Sequence, residues 1–276
     1  MIHAIVALLV VWCSLLTPAT ARADLMLLVH GYLGSAASWE QGGVVPALTT
    51  HGWERAGILR AGPGGVQELP APGRTAKNRI YLAELPSIAP VSVQADHLVP
   101  VLRLLAARHP GERLVLVGHS VGGVVLRLAL VRGDVVNPSV LITIASPHLG
   151  TPLAEQALDA TNDWGPVETI KDFFGGGGYQ TLKVSRGLYL DIVRQHPGSL
   201  LFWLNHQPHP DIRYLSVVRG GPMMMGDILV PGISQDLNNV PALRGRRVAS
   251  RLAGQGHELV WPDGHLLVEL LKESKP

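Results

Sequence analysis

The sequence predicts an α/β protein, and three observations predict it. Apolar runs at 25–29, 114–117 and 140–145 read as buried strands of a parallel sheet, because strands covered on both faces show no polar alternation. Helical stripes such as Leu98, Val101, Leu102 and Leu105 fall between them. The run 114–117 passes through Gly118-His119-Ser120-Val121-Gly122 into a second apolar stretch of helical length, 124–130. Strand, tight turn and helix follow one another within about twenty residues.

Composition sets broad limits. The chain has 276 residues, of which 47% are hydrophobic, enough for one large α/β core or two smaller ones. A formal net charge of +2 suggests neither a nucleic acid nor an anionic membrane surface as partner. Residues 1–23 stand apart: 4–16 are almost wholly apolar, and Ala21-Arg22-Ala23 is an A-x-A cleavage pattern. The run is too short for a comfortable membrane span, and no Lys or Arg precedes it. We expect a signal peptide at 1–23, a secreted or periplasmic protein, and a domain at 24–276; an uncleaved membrane anchor is the alternative. The one cysteine, Cys13, lies inside that segment, so the mature chain is expected to hold neither disulfide nor thiol chemistry.

Taken in order, the run 25–29 ends in His30-Gly31-Tyr32-Leu33-Gly34, a strand entering a glycine turn. Residues 35–50 read as one helix with Trp39, Val44, Val45 and Leu48 on its apolar side. The Gly- and Pro-rich stretch 57–73 reads as a surface loop, and 79–85 as the next strand. A helix is expected over 93–108, kinked or delayed by Pro100. After the strand 140–145 comes Ser146-Pro147-His148-Leu149-Gly150-Thr151-Pro152. Residues 153–210 break the alternation, with Phe173 and Phe174 beside four glycines at 175–178, then Phe202 and Trp203. A strand over 212–218 precedes Gly226-Asp227-Ile228-Leu229-Val230. A last strand, 247–252, leads to the loop carrying His257, and Asp263 reads as the N-cap of a helix over 264–272. His206 and His209 lie in a Pro-rich stretch and are expected to be exposed. The remaining histidines show no tight metal-ligand spacing, so no metal or cofactor is expected.

Gly118-His119-Ser120-Val121-Gly122-Gly123 resembles the nucleophile elbow of the α/β-hydrolase family, in the form seen in bacterial lipases and esterases. That resemblance implies a doubly wound, mostly parallel sheet, with 153–210 as a cap or lid insertion; an ordinary helical excursion packed on the sheet is the other reading. It implies Ser120 as nucleophile, with the acid and base following in the order Asp227, His257. A serine hydroxyl needs an imidazole to take its proton, and the imidazole needs a carboxylate to fix its tautomer. The segment Asp227 to Val230 resembles the family's D-G-x-V, with Ile228 in place of the glycine; Asp236 and Asp211 are rival acids. His257 matches the position of the base, and His265 is the lesser candidate. A histidine at 148 is not the base in the family, so His148 reads as structural or pocket-lining. The segment His30 to Gly34 resembles H-G-x-x-G, which implies that the N–H groups of Tyr32 and Val121 hold the oxyanion.

The activity so implied is that of a secreted lipase or carboxylesterase, acting on small-molecule or lipid esters with transient contact to a lipid surface. Amide or thioester hydrolysis on the same residues is a second reading, and a catalytically silent binding protein a third. Phe173, Phe174, Leu201, Phe202 and Trp203 are expected to line an acyl cleft. Protein recovered from periplasm or medium should begin at Asp24 on N-terminal sequencing; a chain beginning at Met1 in the membrane fraction would favour the anchor.

Overall fold

The computed structural model describes residues 24–71, 77–133, 138–161, 178–220, 226–254 and 256–274. The segment 1–23, together with Phe173, Phe174 and glycines 175–177, lies outside them. Eight strands form one sheet: β1 (Asp24–Val29), β2 (Trp53–Gly62), β3 (Gly65–Pro70), β4 (Asn78–Ala83), β5 (Arg113–His119), β6 (Val140–Ile144), β7 (Arg213–Val218) and β8 (Val248–Leu252). Their order is β3-β2-β4-β1-β5-β6-β7-β8, and every pair is parallel except β2–β3. Parallel neighbours need crossover helices, and these coat both faces.

Side chains alternate along each central strand and sort into two cores. On β1, Leu25, Leu27 and Val29 join one cluster, whereas Met26 and Leu28 join the other. The first cluster packs under α3 (Val91–Arg108) and α4 (Val121–Val131). The second packs under α1 (Ser38–Gln41), α2 (Val44–Thr49) and α10 (Trp261–Glu273). The central strands β1, β5 and β6 are buried on both faces, which is why they read as unbroken apolar runs.

Four expectations change. The stretch 57–73 is not simply a surface loop: β2 and β3 form an antiparallel hairpin at the sheet edge, turning at Pro63-Gly64. Gly62, Pro63, Gly64 and Gly65 sit at or beside the turn, and Pro70 ends the exposed edge strand, where a lost ladder bond costs little. The helix expected over 35–50 is two helices, because Gly43 has φ +75° and the break lets Leu259 and Trp261 pack against Gly42 and Gly43. Helix α3 starts at Val91 and runs through Pro100. The last helix starts at Trp261, so Asp263 sits in its first turn, where its carboxylate accepts the Val260 N–H at 2.9 Å.

Between β6 and β7 lie α5 (Pro152–Thr161), α6 (Gly178–Val184), α7 (Arg186–Ile192) and α8 (Leu200–His206). Ala154, Ala157, Leu188, Leu201 and Leu204 join the same core as α3 and α4. Leu201 is therefore a core residue, while Phe202 and Trp203 face solvent. The short helix α9 (Gly232–Gln235) follows β7.

Among the described residues four histidines are buried: His30, His119, His148 and His209. His206 is exposed as expected; His209 is not, because it packs against Arg127 and the Tyr214 ring. Burial lowers all four from their ordinary value, His119 and His209 to about 3. A depressed folded pKa means the unfolded chain binds more protons as the pH falls below the unfolded value near 6.5. The stability these neutral rings contribute is complete above that pH and is lost on acidification. Each such group adds a slope of about 1.4 kcal/mol per pH unit between its folded pKa and 6.5. Urea midpoints at pH 7.5, 6 and 5 should fall steeply over the last interval; an unchanged midpoint would mean that these rings are charged in the folded protein.

Candidate active site

Ser120 stands at the end of β5 with φ 52° and ψ −130°, a left-handed conformation unusual for a non-glycine residue. Such a backbone costs about 1–3 kcal/mol and persists only when its surroundings hold it. Here the Ser120 N–H donates to the Ile144 carbonyl at 2.8 Å, and the Gly123 N–H donates to the Ser120 carbonyl at 3.1 Å. Two glycines make room. A Cβ on Gly122 would lie 2.4 Å from the His30 carbonyl oxygen, and one on Gly31 would lie 2.6 Å from the Ser120 Cβ. The first leaves α4 packed against the end of β1; the second brings the loop after β1 onto the serine.

Asp227 and His257 meet Ser120. His257 Nε2 lies 2.8 Å from Ser120 Oγ, and His257 Nδ1 lies 2.8 Å from Asp227 Oδ2. With Nδ1–H donating to the carboxylate, Nε2 is free to accept the serine proton. The Asp227 side chain is fully buried. Its Oδ1 accepts the Leu229 and Val230 N–H groups at 2.8 and 2.7 Å, and Gln235 Nε2 donates to Oδ2 at 3.1 Å. Burial pushes this carboxyl up, but the hydrogen bonds from His257 and the two backbone N–H groups outweigh it and hold the pKa below the usual range. Ile228 is 92% exposed, so a side chain in place of the family's glycine meets nothing.

The rival residues lie elsewhere. Asp236 accepts the Asn238 N–H at 3.0 Å, and Asp211 faces Arg246 at 3.6 Å. His265 contacts His51, its Nδ1 lying 2.8 Å from His51 Nε2. His148 is buried, between Thr143 at 3.0 Å and Arg127 at 3.4 Å, which fits the structural reading.

Several residues that the sequence did not single out hold the site. His119 Nε2 donates to the His257 carbonyl at 2.8 Å, and its lowered pKa, caused first by burial and then by His257, keeps it neutral beside that ring. Arg219, at the end of β7, is buried and forms an ion pair with buried Asp263 at 2.5 Å. The same guanidinium donates to the Ala253 carbonyl at 3.2 Å and to the Glu258 carbonyl at 3.4 Å, on both sides of His257. Gln235 closes the circuit, accepting the Arg219 N–H at 2.7 Å while it donates to Asp227. A charge ending an apolar strand is the one signal that marks Arg219 in the sequence; nothing in the spacing pairs it with Asp263.

A cleft of about 610 Å³ opens over Ser120. Tyr32 and Val121 are among its lining residues, with Ser120. One wall is apolar, made by Leu153, Ala154, Ala157, Tyr189 and Ile192 from α5 and α7. The lining also includes the polar residues Ser38, Gln41 and Glu258. Phe202 and Trp203 are not among the lining residues, and the apolar lining expected from them comes from α5 and α7 instead. The Tyr189 hydroxyl hydrogen-bonds the Tyr32 hydroxyl and joins the apolar wall to the loop after β1. Among the described residues no group of three or more His, Cys, Asp and Glu is placed to hold a metal ion.

The family model that matches is the PGAP1-like alpha/beta domain, over residues 93–162. Esterase PIR7B of Oryza sativa subsp. japonica is 35% identical over 135 residues, which cover 47% of this chain and 43% of that protein. The chain thus spans less than half the length of the curated relatives it matches. Among solved structures, the lin2722 gene product of Listeria innocua superposes with a TM-score of 0.61 at 15% identity, covering 92% of this chain and 95% of that one. The lipase BlEst2 of Bacillus licheniformis, in its mature form, gives 0.54 at 16% identity, covering 94% of each chain.

Removing one member of the buried pair should be severe. Arg219→Met should cost about 3–5 kcal/mol in denaturant unfolding, because Asp263 is left buried without its cation. Arg219→Met with Asp263→Leu should lose less than the single change; a double variant as unstable as the two single losses added would show that the pair is not coupled.

Proposed function

We propose that this chain, which has the α/β-hydrolase fold, is a serine hydrolase that cleaves carboxylic esters through an acyl-enzyme. The observation that carries the reading is the unbroken chain Ser120–His257–Asp227, with 2.8 Å at each contact. In this reading His257 takes the Ser120 proton as Oγ attacks the ester carbonyl. The N–H groups of Tyr32 and Val121 receive the oxyanion, an assignment supported by the place of both residues in the lining of the cleft that holds Ser120. His257 then protonates the leaving alkoxide, and a water activated by the same ring clears the acyl-enzyme. No cofactor or metal enters this sequence of steps. The esterase PIR7B relative supports an ester substrate.

The acyl group belongs against the apolar wall of α5 and α7. Each methylene buried there contributes about 0.8 kcal/mol, so specificity rises with acyl length until the cleft is full. Medium or longer acyl esters are then preferred over acetate. Cleavage of residues 1–23 and export to the periplasm or medium complete the reading, supported by the apolar run 4–16 and the A-x-A site.

Ser120→Ala should abolish ester turnover with the fold intact, and a fluorophosphonate should label Ser120 alone. Hydrolysis by the alanine variant at the wild-type rate would overturn the reading. His257→Ala should lower kcat by about 10⁴ or more, while His265→Ala stays near wild type. Across p-nitrophenyl acetate, butyrate and octanoate, kcat/KM should rise; a steady fall from acetate would identify a small-ester esterase.

A further inference from the structure

Arg127 lies on α4, the helix that begins at Val121 beside the nucleophile, and it is fully buried. A cation there is costly to bury unless its N–H groups find acceptors. The hydrogen bonds of its guanidinium go to neutral groups. Nη2 donates to Asn205 Oδ1 at 2.8 Å and to His209 Nε2 at 3.1 Å, and Nε reaches the same histidine nitrogen at 3.3 Å. Nη1 donates to His148 Nδ1 at 3.4 Å.

Because arginine only donates, His148 Nδ1 and His209 Nε2 carry no proton. Their other nitrogens have outlets: His148 Nε2 contacts Thr143 Oγ1 at 3.0 Å, and His209 Nδ1 donates to the Gln207 carbonyl at 2.8 Å. The cluster is satisfied only with both imidazoles neutral, and burial together with the Arg127 charge lowers the pKa of each. Tyr214 on β7 also faces it, its ring edge-on to His209 and its hydroxyl donating to the Pro210 carbonyl at 2.8 Å, and the Arg246 charge acts on His209 as well.

The three acceptors come from three separate segments. His148 follows β6, Asn205 is on α8, and His209 precedes β7. Asn205 Nδ2 donates onward to the His148 carbonyl at 2.9 Å and to Gln195 Oε1 at 2.8 Å. Gln195 lies three residues after Ile192, the end of α7, and its N–H donates to the Leu149 carbonyl at 3.1 Å. The segment that carries Tyr189 and Ile192 into the cleft is thus fastened at its front by the Tyr32–Tyr189 contact and at its rear by Arg127.

We propose that Arg127 is a positioning residue for the acyl side of the cleft: its planar fork, spread over Asn205, His148 and His209, sets where α7 places Tyr189 and Ile192 opposite Ser120. A helix position that is otherwise all apolar would accept a Leu or Met at lower cost in desolvation. The arginine adds direction, because a shift of α8 that breaks the fork strands a buried charge. The inference rests on the reading of Ser120 as the nucleophile of ester hydrolysis.

Arg127→Lys keeps the charge and loses the fork; Arg127→Met removes the charge at similar volume. We measure kcat and KM on p-nitrophenyl acetate and octanoate, together with amide hydrogen exchange. In both variants octanoate kcat/KM should fall at least tenfold more than acetate kcat/KM, chiefly through KM, and amides of 188–192 and 201–206 should exchange at least tenfold faster while β5 and β6 do not change. His209→Gln, which keeps an acceptor, should restore most of the wild-type ratio that His209→Leu loses. Parallel losses on both esters through kcat, or no change in ratio and exchange, would overturn the proposal. If the arginine variants do not fold, Asn205→Ala carries the same readouts. A wild-type protein that hydrolyses neither ester would count against the role of Ser120, and the exchange measurement alone would then judge Arg127.

Discussion

The conformation of one residue organises this molecule. Ser120 is held at φ 52° where β5 gives way to α4, and the sheet is arranged to keep it there. The neighbouring strand β6 supplies the Ile144 carbonyl that takes its N–H. The end of β1 lies so close beneath Gly122 that no Cβ fits. These contacts come from three central parallel strands, buried on both faces and unable to shift singly. The local strain is therefore supported by the stiffest part of the fold, and the serine oxygen emerges at the carboxyl ends of the strands, where an open α/β sheet has its crevice.

The acid and the base arrive by a different route. Asp227 and His257 sit on loops after β7 and β8. Their place is set by buried polar groups. Arg219 grips carbonyls on both sides of His257 and pairs with Asp263 in the last helix, while Gln235 joins Arg219 to Asp227. Each of these groups would be costly to bury alone, and together they leave few other arrangements for the imidazole. His119 adds a neutral donor to the His257 carbonyl, so the loop gains a restraint and the site gains no charge.

The cleft lining mixes two kinds of side chain. Helices α5 and α7 bring small and apolar side chains, while Ser38, Gln41 and Glu258 bring polar groups near the base. The apolar wall belongs to a segment that also contributes Leu188, Leu201 and Leu204 to the main core. Polar contacts at its two ends, Tyr189 with Tyr32 and Asn205 with Arg127, tie it to the loop after β1 and to the nucleophile helix.

The sequence by itself determined the central strands, the elbow and the serine, because each is local. A strand buried on both faces must be apolar throughout, and a left-handed turn hemmed in by backbone must have glycines around it. Asp227 and His257 were legible through their order along the chain, as the resemblance to the hydrolase family reads it, and not through any spacing of their own. The edge hairpin of β2 and β3 was hidden, since an exposed edge strand tolerates the glycines and prolines that signal a loop. The lining of the cleft was misread for a related reason: aromatic content marks Phe202 and Trp203, yet which side of a short helix faces inward depends on what it packs against. Only the tertiary structure decided the pairing of Arg219 with Asp263, the burial of His209 and the company of Arg127. Those contacts join residues 44 and 82 positions apart, and a buried charge finds its partner through the packing of whole elements rather than through the chain around it.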